Sequence, residues 1–141
     1  MRVFLDTNVI MDTLISGRPS SEASSRLVSL NQPPEQSEFR FSISALSVAD
    51  MVYSSRKLLS KEHLLSEVDL IRNMCRVLPL SEWNIYDALK STCPDFEDAL
   101  QISIAESDAD VIVTNNVKHF KGYTALEVVT PQEFLDRVSA D

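Results

Sequence analysis

The sequence contains very little glycine or cysteine and has no long apolar run. Two glycines among 141 residues exclude a collagen-like chain, a glycine linker and a glycine-rich phosphate loop. Cys75 and Cys93 are too few and too far apart for a disulfide framework or a zinc knuckle, so we expect both to be buried. No apolar run approaches the roughly eighteen residues that span a bilayer, and Asp6 ends the first apolar run too early for a signal peptide. The sequence therefore predicts a cytoplasmic protein with no membrane segment.

Positive charge is also scarce. The chain has 13 Lys and Arg against 21 Asp and Glu, which gives a net charge of −8. A protein this acidic is not drawn to nucleic acid by its overall electrostatic field. The charge does not exclude an enzyme that holds cations in an acidic pocket and meets a polyanion through them.

What the sequence does have is an ordinary globular balance, with 44% hydrophobic and 24% charged residues. Apolar runs predict five strands, at 1–5, 39–43, 76–80, 109–113 and 126–129, and the third of these is expected to end at Pro79. Helical spacing predicts helices at about 8–15, 20–30, 44–58, 61–75, 81–89, 94–105 and from 130 onwards. Gly17-Arg18-Pro19 predicts a turn, and the polar stretch 31–38 predicts a mobile loop.

This alternation defines the expected fold. Strands separated by helices need crossover connections, which favour parallel pairing. The sequence therefore predicts one α/β domain over residues 1–141, a three-layer sandwich with a mostly parallel central sheet and helices on both faces.

Polar residues follow the predicted strands, where sites form in parallel sheets. The candidates are Asp6 and Asn8 after the first strand, Asp50 in the helix after the second, Asp95 and Asp98 at a helix start, and Thr114, Asn115 and Asn116 after the strand at 109–113. Each also has a structural interpretation. Asp6 and Asp95 can cap helices, Asp50 can reach solvent from the edge of its apolar helix, and the residues after 113 can be turn residues.

Taken together, these residues indicate a metal site. Carboxylates that converge at one end of a sheet repel each other, and a cation relieves that repulsion. Oxygen ligands without His or Cys select Mg²⁺ or Mn²⁺. His63 and His119 fall outside the convergent set, and His119 is either a substrate contact or, as we expect, a solvated turn residue. The pattern therefore favours metal-assisted chemistry over a Ser-His or Cys-His nucleophile.

The motifs resemble those of the PIN-domain family, in the same order along essentially the whole chain. They are Asp6-Thr7-Asn8-Val9 after an amino-terminal strand, an acid in the helix after Ser44-Ala45-Leu46, Asp95-Phe96-Glu97-Asp98-Ala99-Leu100-Gln101, and Val113-Thr114-Asn115-Asn116 with Lys118-His119-Phe120. Single-domain chains of this kind resemble the toxins of bacterial VapBC-type toxin–antitoxin pairs. The resemblance implies an endoribonuclease that depends on Mg²⁺ or Mn²⁺, is often homodimeric and is silenced by a small antitoxin.

Residue roles follow from the resemblance position by position. It implies Asp6, Asp50 and Asp98 as catalytic acids, with Asp6, Asp98 and Asn116 at the metal. Asn8 and Thr114 match supporting positions, and Asp95 is a further acid that can compensate for lost charge. The chain departs from the family at two positions, since Asp50 replaces the usual Glu and Asn116 replaces a frequent fourth acid. A single ion held by Asp6, Asp98 and waters remains consistent with both departures.

The implied mechanism is in-line attack of a water on an RNA phosphodiester, with Asp50 orienting or deprotonating that water. Lys118 and Arg56 are candidates for binding flanking phosphates. Three alternatives stay open. A haloacid-dehalogenase-type phosphatase needs an acid where Asn8 stands, and a receiver domain needs a phosphoacceptor where Leu78-Pro79-Leu80 stands. The third is a PIN-like scaffold of weak or no activity that binds metal, RNA or a protein partner.

Overall fold

The computed structural model describes residues 1–14, 21–30 and 38–140. The strands within these ranges are β1 (Arg2–Leu5), β2 (Arg40–Ser44), β3 (Arg76–Leu78), β4 (Val111–Val113) and β5 (Glu127–Val129). The helices are α1 (Thr7–Leu14), α2 (Ser21–Ser29), α3 (Ala45–Ser55), α4 (Lys61–Met74), α5 (Glu82–Lys90), α6 (Phe96–Glu106) and α7 (Pro131–Ala140). The predicted turn at Gly17–Pro19 and the predicted loop, apart from Glu38, lie outside the described residues.

The five strands form one sheet in the order β3-β2-β1-β4-β5, and every pairing is parallel. β1 is central, with Val3 opposite Phe41 of β2 on one side and opposite Val111 of β4 on the other. The mostly parallel α/β sheet expected from the sequence is confirmed.

Successive side chains of the strands enter two separate cores, because their directions alternate along a strand. Val3 and Leu5 pack with Val9, Met51 and Phe134, from α1, α3 and α7. Phe4 points to the opposite face and packs with Ile104 and Ala105 of α6. Helices therefore cover both faces, as a three-layer sandwich requires. Cys75 and Cys93 are buried, as expected.

The ends of the elements agree with the sequence prediction in some places and differ in others. The expected end of the third strand at the proline is confirmed, since β3 ends at Leu78 and the next residue, Pro79, has no backbone N–H for the sheet. α3 ends at Ser55 and not Leu58, since the N–H groups of Arg56 and Leu58 bond to carbonyls three residues back, those of Tyr53 and Ser55, as in a turn. A short 3₁₀ helix at Val117–His119 was not predicted. None of the helices in the described ranges is both long and apolar enough to cross a membrane.

Candidate active site

An open cleft lies at the carboxyl ends of β1 and β4, which are neighbours in the sheet. The chain leaves β1 for β2 on one side, whereas β4 lies on the other, so this is the switch point where ligands bind in such folds. The cleft has a volume of about 260 Å³. The predicted residues that line it are Asp6, Asn8, Asp98 and Asn116, joined by Thr7, Glu97 and Gln101.

Asp6 is buried at the base of this cleft, and its carboxylate accepts three hydrogen bonds. The Thr7 backbone N–H donates to Oδ1 at 2.8 Å, while Asn8 Nδ2 and Thr114 Oγ1 donate to Oδ2 at 3.0 and 2.7 Å. Burial raises the pKa of Asp6 to about 6, and the charge of Asp98 adds to the increase, although the Thr114 and Thr7 donors oppose it. Asp6 is therefore a fixed carboxylate held in one orientation.

Asn8 and Thr114 hold the loop after β4 against the start of α1. Thr114 Oγ1 accepts the Asn116 N–H at 3.0 Å, and Asn8 Oδ1 accepts the Asn115 N–H at 3.2 Å. These bonds place the exposed Asn116 side chain at the rim of the cleft.

Asp12 is a buried acid that the sequence analysis missed. It is 1% exposed, and its Oδ2 accepts hydrogen bonds from Ser24 Oγ at 2.9 Å and Asn115 Nδ2 at 2.7 Å. It therefore links α1 and α2 to the loop after β4. An acid among the apolar residues of α1 was the signal available in the sequence.

Gln101 is a second missed residue and lies at the centre of a polar network beneath the cleft. Its Oε1 accepts from Ser44 Oγ at 2.7 Å, and its Nε2 donates to Ser47 Oγ at 2.9 Å and towards Thr7 Oγ1 at 3.4 Å. The Ser47 and Thr7 hydroxyls are 2.6 Å apart. The network thus fixes α6 and α3 relative to the residue that follows Asp6.

Asp98 reaches the cleft from the first turn of α6. Asp95 is the N-cap of that helix, and its Oδ1 accepts the Asp98 N–H at 2.9 Å. Burial, followed by the charge of Asp95, raises the pKa of Asp98. His119 is exposed in the short 3₁₀ helix after β4, and its Nδ1 lies 3.5 Å from Asp98 Oδ2, beside the cleft.

Glu97 is the acid that faces the cleft where Asp50 was expected. Asp50 does not line the cleft but lies against Glu97, and a hydrogen bond to Asp50, together with burial, raises the pKa of Glu97 to about 7. With both groups ionised, Asp50 Oδ2 is buried without a donor among the described residues.

The two predicted phosphate-binding cations differ in placement. Lys118 lines a cavity of about 220 Å³ beside the cleft, together with Asp95, Asp98 and His119. Arg56 does not line the cleft; its guanidinium lies 3.7 Å from the centre of the Tyr53 ring and donates to the Tyr53 carbonyl. Lys118 is therefore beside the candidate site, whereas Arg56 is held away from it.

The cleft suits a hydrated hard cation. No three His, Cys, Asp or Glu side chains in the described ranges are grouped closely enough to hold a metal ion by themselves. Mg²⁺ needs less, since it is usually held by one or two carboxylates and keeps several waters. Asp6 and Asp98 offer carboxylate oxygens of this kind in the cleft, and a cation would relieve the repulsion by which the charge of Asp98 adds to the effect of burial on the pKa of Asp6.

Together, the fold and the cleft define an α/β protein with an acidic site at the switch point of a parallel sheet. The chain belongs to the PIN domain family, whose model matches residues 2–118. Among curated protein sequences, none matches this chain.

Solved structures share the fold. The DNA-bound VapBC of Salmonella typhimurium has a TM-score of 0.69 at 22% identity, over 93% of this chain and 98% of that chain. VapBC2 of Rickettsia felis, bound to a promoter DNA fragment, has a TM-score of 0.68 at 20% identity, over 91% and 97%. VapC20 of Mycobacterium tuberculosis, a toxin that cleaves the sarcin-ricin loop, has a TM-score of 0.67 at 11% identity, over 88% and 98%.

Proposed function

We propose that the protein is a cytoplasmic endoribonuclease that depends on Mg²⁺ or Mn²⁺ and is the toxin of a type II toxin–antitoxin pair. One observation carries the proposal. Asp6 and Asp98 come from distant parts of a PIN-domain chain and line one cleft at the switch point of the sheet. That position and donor set support hydrolysis of a phosphodiester bond with the help of a cation.

Asp6 and Asp98 hold the ion in this proposal, and Asn116 contributes an amide oxygen at the rim. When bound, the ion neutralises phosphate charge and lowers the pKa of a water molecule. Thr114, Asn8 and the Thr7 N–H keep the Asp6 carboxylate oriented, so little reorganisation is needed when the substrate binds.

In this proposal Glu97 and Asp50 share a proton at the side of the cleft. Glu97 lines the cleft and, once ionised, can accept a proton from the attacking water. Asp50 lies behind Glu97 and acts through it, so Asp50 is a positioning residue. This assignment accounts for the short side chain at position 50, because the longer Glu97 supplies the missing reach.

Substrate and partner follow from charge and from the structures that share the fold. Lys118 lies close to Asp98, where it can bind a phosphate beside the scissile one. A basic segment of a small antitoxin would complement the acidic cleft of a chain with net charge −8. The VapBC complexes of similar fold support this pairing. We also propose a homodimer, because α5 exposes Trp83, Tyr86 and Leu89 at helical spacing.

A PIN-like scaffold of weak or no activity is the second candidate. Two observations favour it: Asn116 places a neutral side chain at the rim of the cleft, and Asp50 does not line the cleft. Such a scaffold would bind metal, RNA or a protein partner without cleavage.

An RNA-cleavage assay that compares wild-type protein with Asp98→Asn distinguishes the nuclease from the scaffold. We expect wild-type protein to cleave RNA with Mg²⁺ or Mn²⁺ and lose activity in EDTA, and the variant to lose at least about 100-fold in rate, because the ion loses a charged ligand. Asp69→Asn is the matched control, since Asp69 pairs with Arg72 on the surface of α4. Gel analysis of end-labelled RNA gives the rates. Full activity in EDTA, or in Asp98→Asn, would contradict the proposed reaction, and a wild type without activity would favour the scaffold.

A further inference from the structure

A second cavity lies at the amino-terminal ends of the strands, whereas the acidic cleft lies at their carboxyl ends. This second cavity has a volume of about 380 Å³ and is formed at the amino-terminal ends of β1, β2 and β3. Its size falls within the range of small-molecule pockets, which begins at about 300 Å³. Nothing in the proposed nuclease reaction uses this cavity.

Three adjacent strands each begin with an arginine at this cavity. Arg2, Arg40 and Arg76 are the first residues of β1, β2 and β3, and all three line the cavity. Arg2 lies opposite Arg40 in the sheet register, so the guanidinium groups start from neighbouring positions. The chain is acidic overall, so three arginines at the amino-terminal ends of neighbouring strands are a local concentration of positive charge.

The arginines are only partly neutralised. Asp108 pairs with both Arg2 and Arg76, at 3.1 and 3.0 Å, and Asp110 pairs with Arg2. Arg40 has no carboxylate partner among the described residues. The pairs with Asp108 orient two guanidinium groups beside the cavity. Among the described residues that line it, Asp108 is the one acid against three arginines, so an excess of positive charge remains.

The interior of the cavity adds an independent sign of a ligand. Ser42 lines the cavity and is 3% exposed, yet its Oγ has no hydrogen-bond partner among the described residues. A buried hydroxyl without a partner is costly, so its presence beside three arginines indicates a ligand that accepts its hydrogen bond. Phe39, Phe41 and Met74 supply an apolar wall.

We propose that this cavity binds a phosphomonoester that carries a flat or apolar body, the chemical class that includes nucleoside monophosphates. The arginines bind the doubly charged phosphate, for which their forked donors are well suited. The Ser42 hydroxyl donates one hydrogen bond, and the apolar wall packs against the body of the ligand. A phosphate alone would leave much of the 380 Å³ unfilled.

Calorimetric titration with uridine monophosphate, uridine and inorganic phosphate tests the proposal. EDTA is present throughout, so no divalent ion can hold the nucleotide in the acidic cleft. We expect the monophosphate to bind wild-type protein at millimolar or lower concentration, and both uridine and inorganic phosphate to bind at least about tenfold more weakly. No binding of the monophosphate, or equal binding of inorganic phosphate, overturns the proposal.

Single substitutions test whether the monophosphate binds in this cavity. Arg40→Gln should weaken binding about tenfold, because it removes a charged donor that no ion pair in the described chain requires. Ser42→Ala should weaken binding a few-fold and leave the melting temperature unchanged or higher. If the hydroxyl had a purely structural role, its removal would lower the melting temperature instead. Arg72→Gln, which removes a surface cation of α4, and Asp6→Asn should both bind as wild type does. Wild-type affinity in Arg40→Gln, or lost affinity in Asp6→Asn, overturns the assignment to this cavity.

Discussion

At the scale of single residues, the pair of Glu97 and Asp50 makes a direct prediction about protonation. The hydrogen bond to Asp50 and burial raise the pKa of Glu97 to about 7, so Glu97 is largely protonated below neutral pH. Replacing Asp50 with Asn removes a negative charge and supplies an amide donor, so the pKa of Glu97 should fall towards its ordinary value. Carbon-13 NMR of the Glu97 carboxyl group in metal-free protein, between pH 4 and 9, measures both titrations.

The same experiment carries its own control. Asp69→Asn removes an acid from the surface of α4, and Glu97 should titrate in it as in the wild type. If Glu97 titrates at the same pH in Asp50→Asn as in the wild type, the two carboxyl groups do not share a proton.

Residues of the candidate site could be predicted where they follow a strand. Asp6 and Thr114 come directly after apolar runs that became β1 and β4, and parallel strands bring such positions together. Glu97 could not be found in this way. Its place in the cleft depends on how α6 is rotated against α3, and tertiary packing sets that rotation. Periodicity within one helix carries no information about its angle to another.

At the scale of elements, Gln101 joins three helices through one buried amide. Gln101 is 2% exposed, and its amide bonds Ser44 and Ser47 and extends towards Thr7. Replacing Gln101 with Leu keeps its approximate volume but leaves buried hydroxyl groups with fewer partners. We expect the free energy of unfolding to fall by about 1–3 kcal/mol, measured by urea denaturation with an unchanged m-value.

A matched substitution on the surface controls for the change in side chain. Gln132 is exposed on α7, and its side-chain amide donates to Asp136 at 2.9 Å. Gln132→Leu should change the free energy of unfolding by no more than about 0.5 kcal/mol. Equal stability of Gln101→Leu and the wild type would show that the network beneath the cleft contributes nothing to holding the helices.

Elements were predicted well where an apolar pattern and a capping residue coincide. Thr130 and Glu133 form the predicted capping box at the start of α7, with each side chain paired to the other's backbone N–H. The end of α3 was predicted too late, because Leu58 continues the apolar pattern while its backbone already turns back to Ser55. Side-chain pattern records burial, whereas the end of a helix depends on which backbone groups find other partners.

At the scale of the whole molecule, the exposed face of α5 predicts self-association. Trp83 is 66% and Leu89 72% exposed, and Tyr86 lies between them at 48%. Spacing by three residues places all three on one side of α5, where a second copy would cover them. Sedimentation or light scattering should therefore give twice the 15.8 kDa mass of the chain.

A double variant tests whether α5 forms that interface. Trp83→Lys with Leu89→Lys should be monomeric, because it would bury four ammonium groups in the dimer. Leu65→Lys is the control, since Leu65 is 54% exposed on α4 and should leave the dimer intact. A monomeric wild type, or a dimer that survives the double substitution, rules out this use of α5.

The proposed cation links binding to the stability of the whole domain, and pH sets the size of the effect. Burial raises the pKa of Asp6 to about 6, above its unfolded value, so in EDTA this group favours folding at low pH and its contribution is lost as pH rises through about 6. Mg²⁺ reverses the trend, because it binds the ionised carboxylate and stabilises only the folded state. Thermal melts should therefore show an increase of several degrees with Mg²⁺ at pH 8 and almost none at pH 5. Asp98→Asn should show no increase at either pH, whereas Asp69→Asn should match the wild type; an equal increase at both pH values would mean that Mg²⁺ binds away from Asp6.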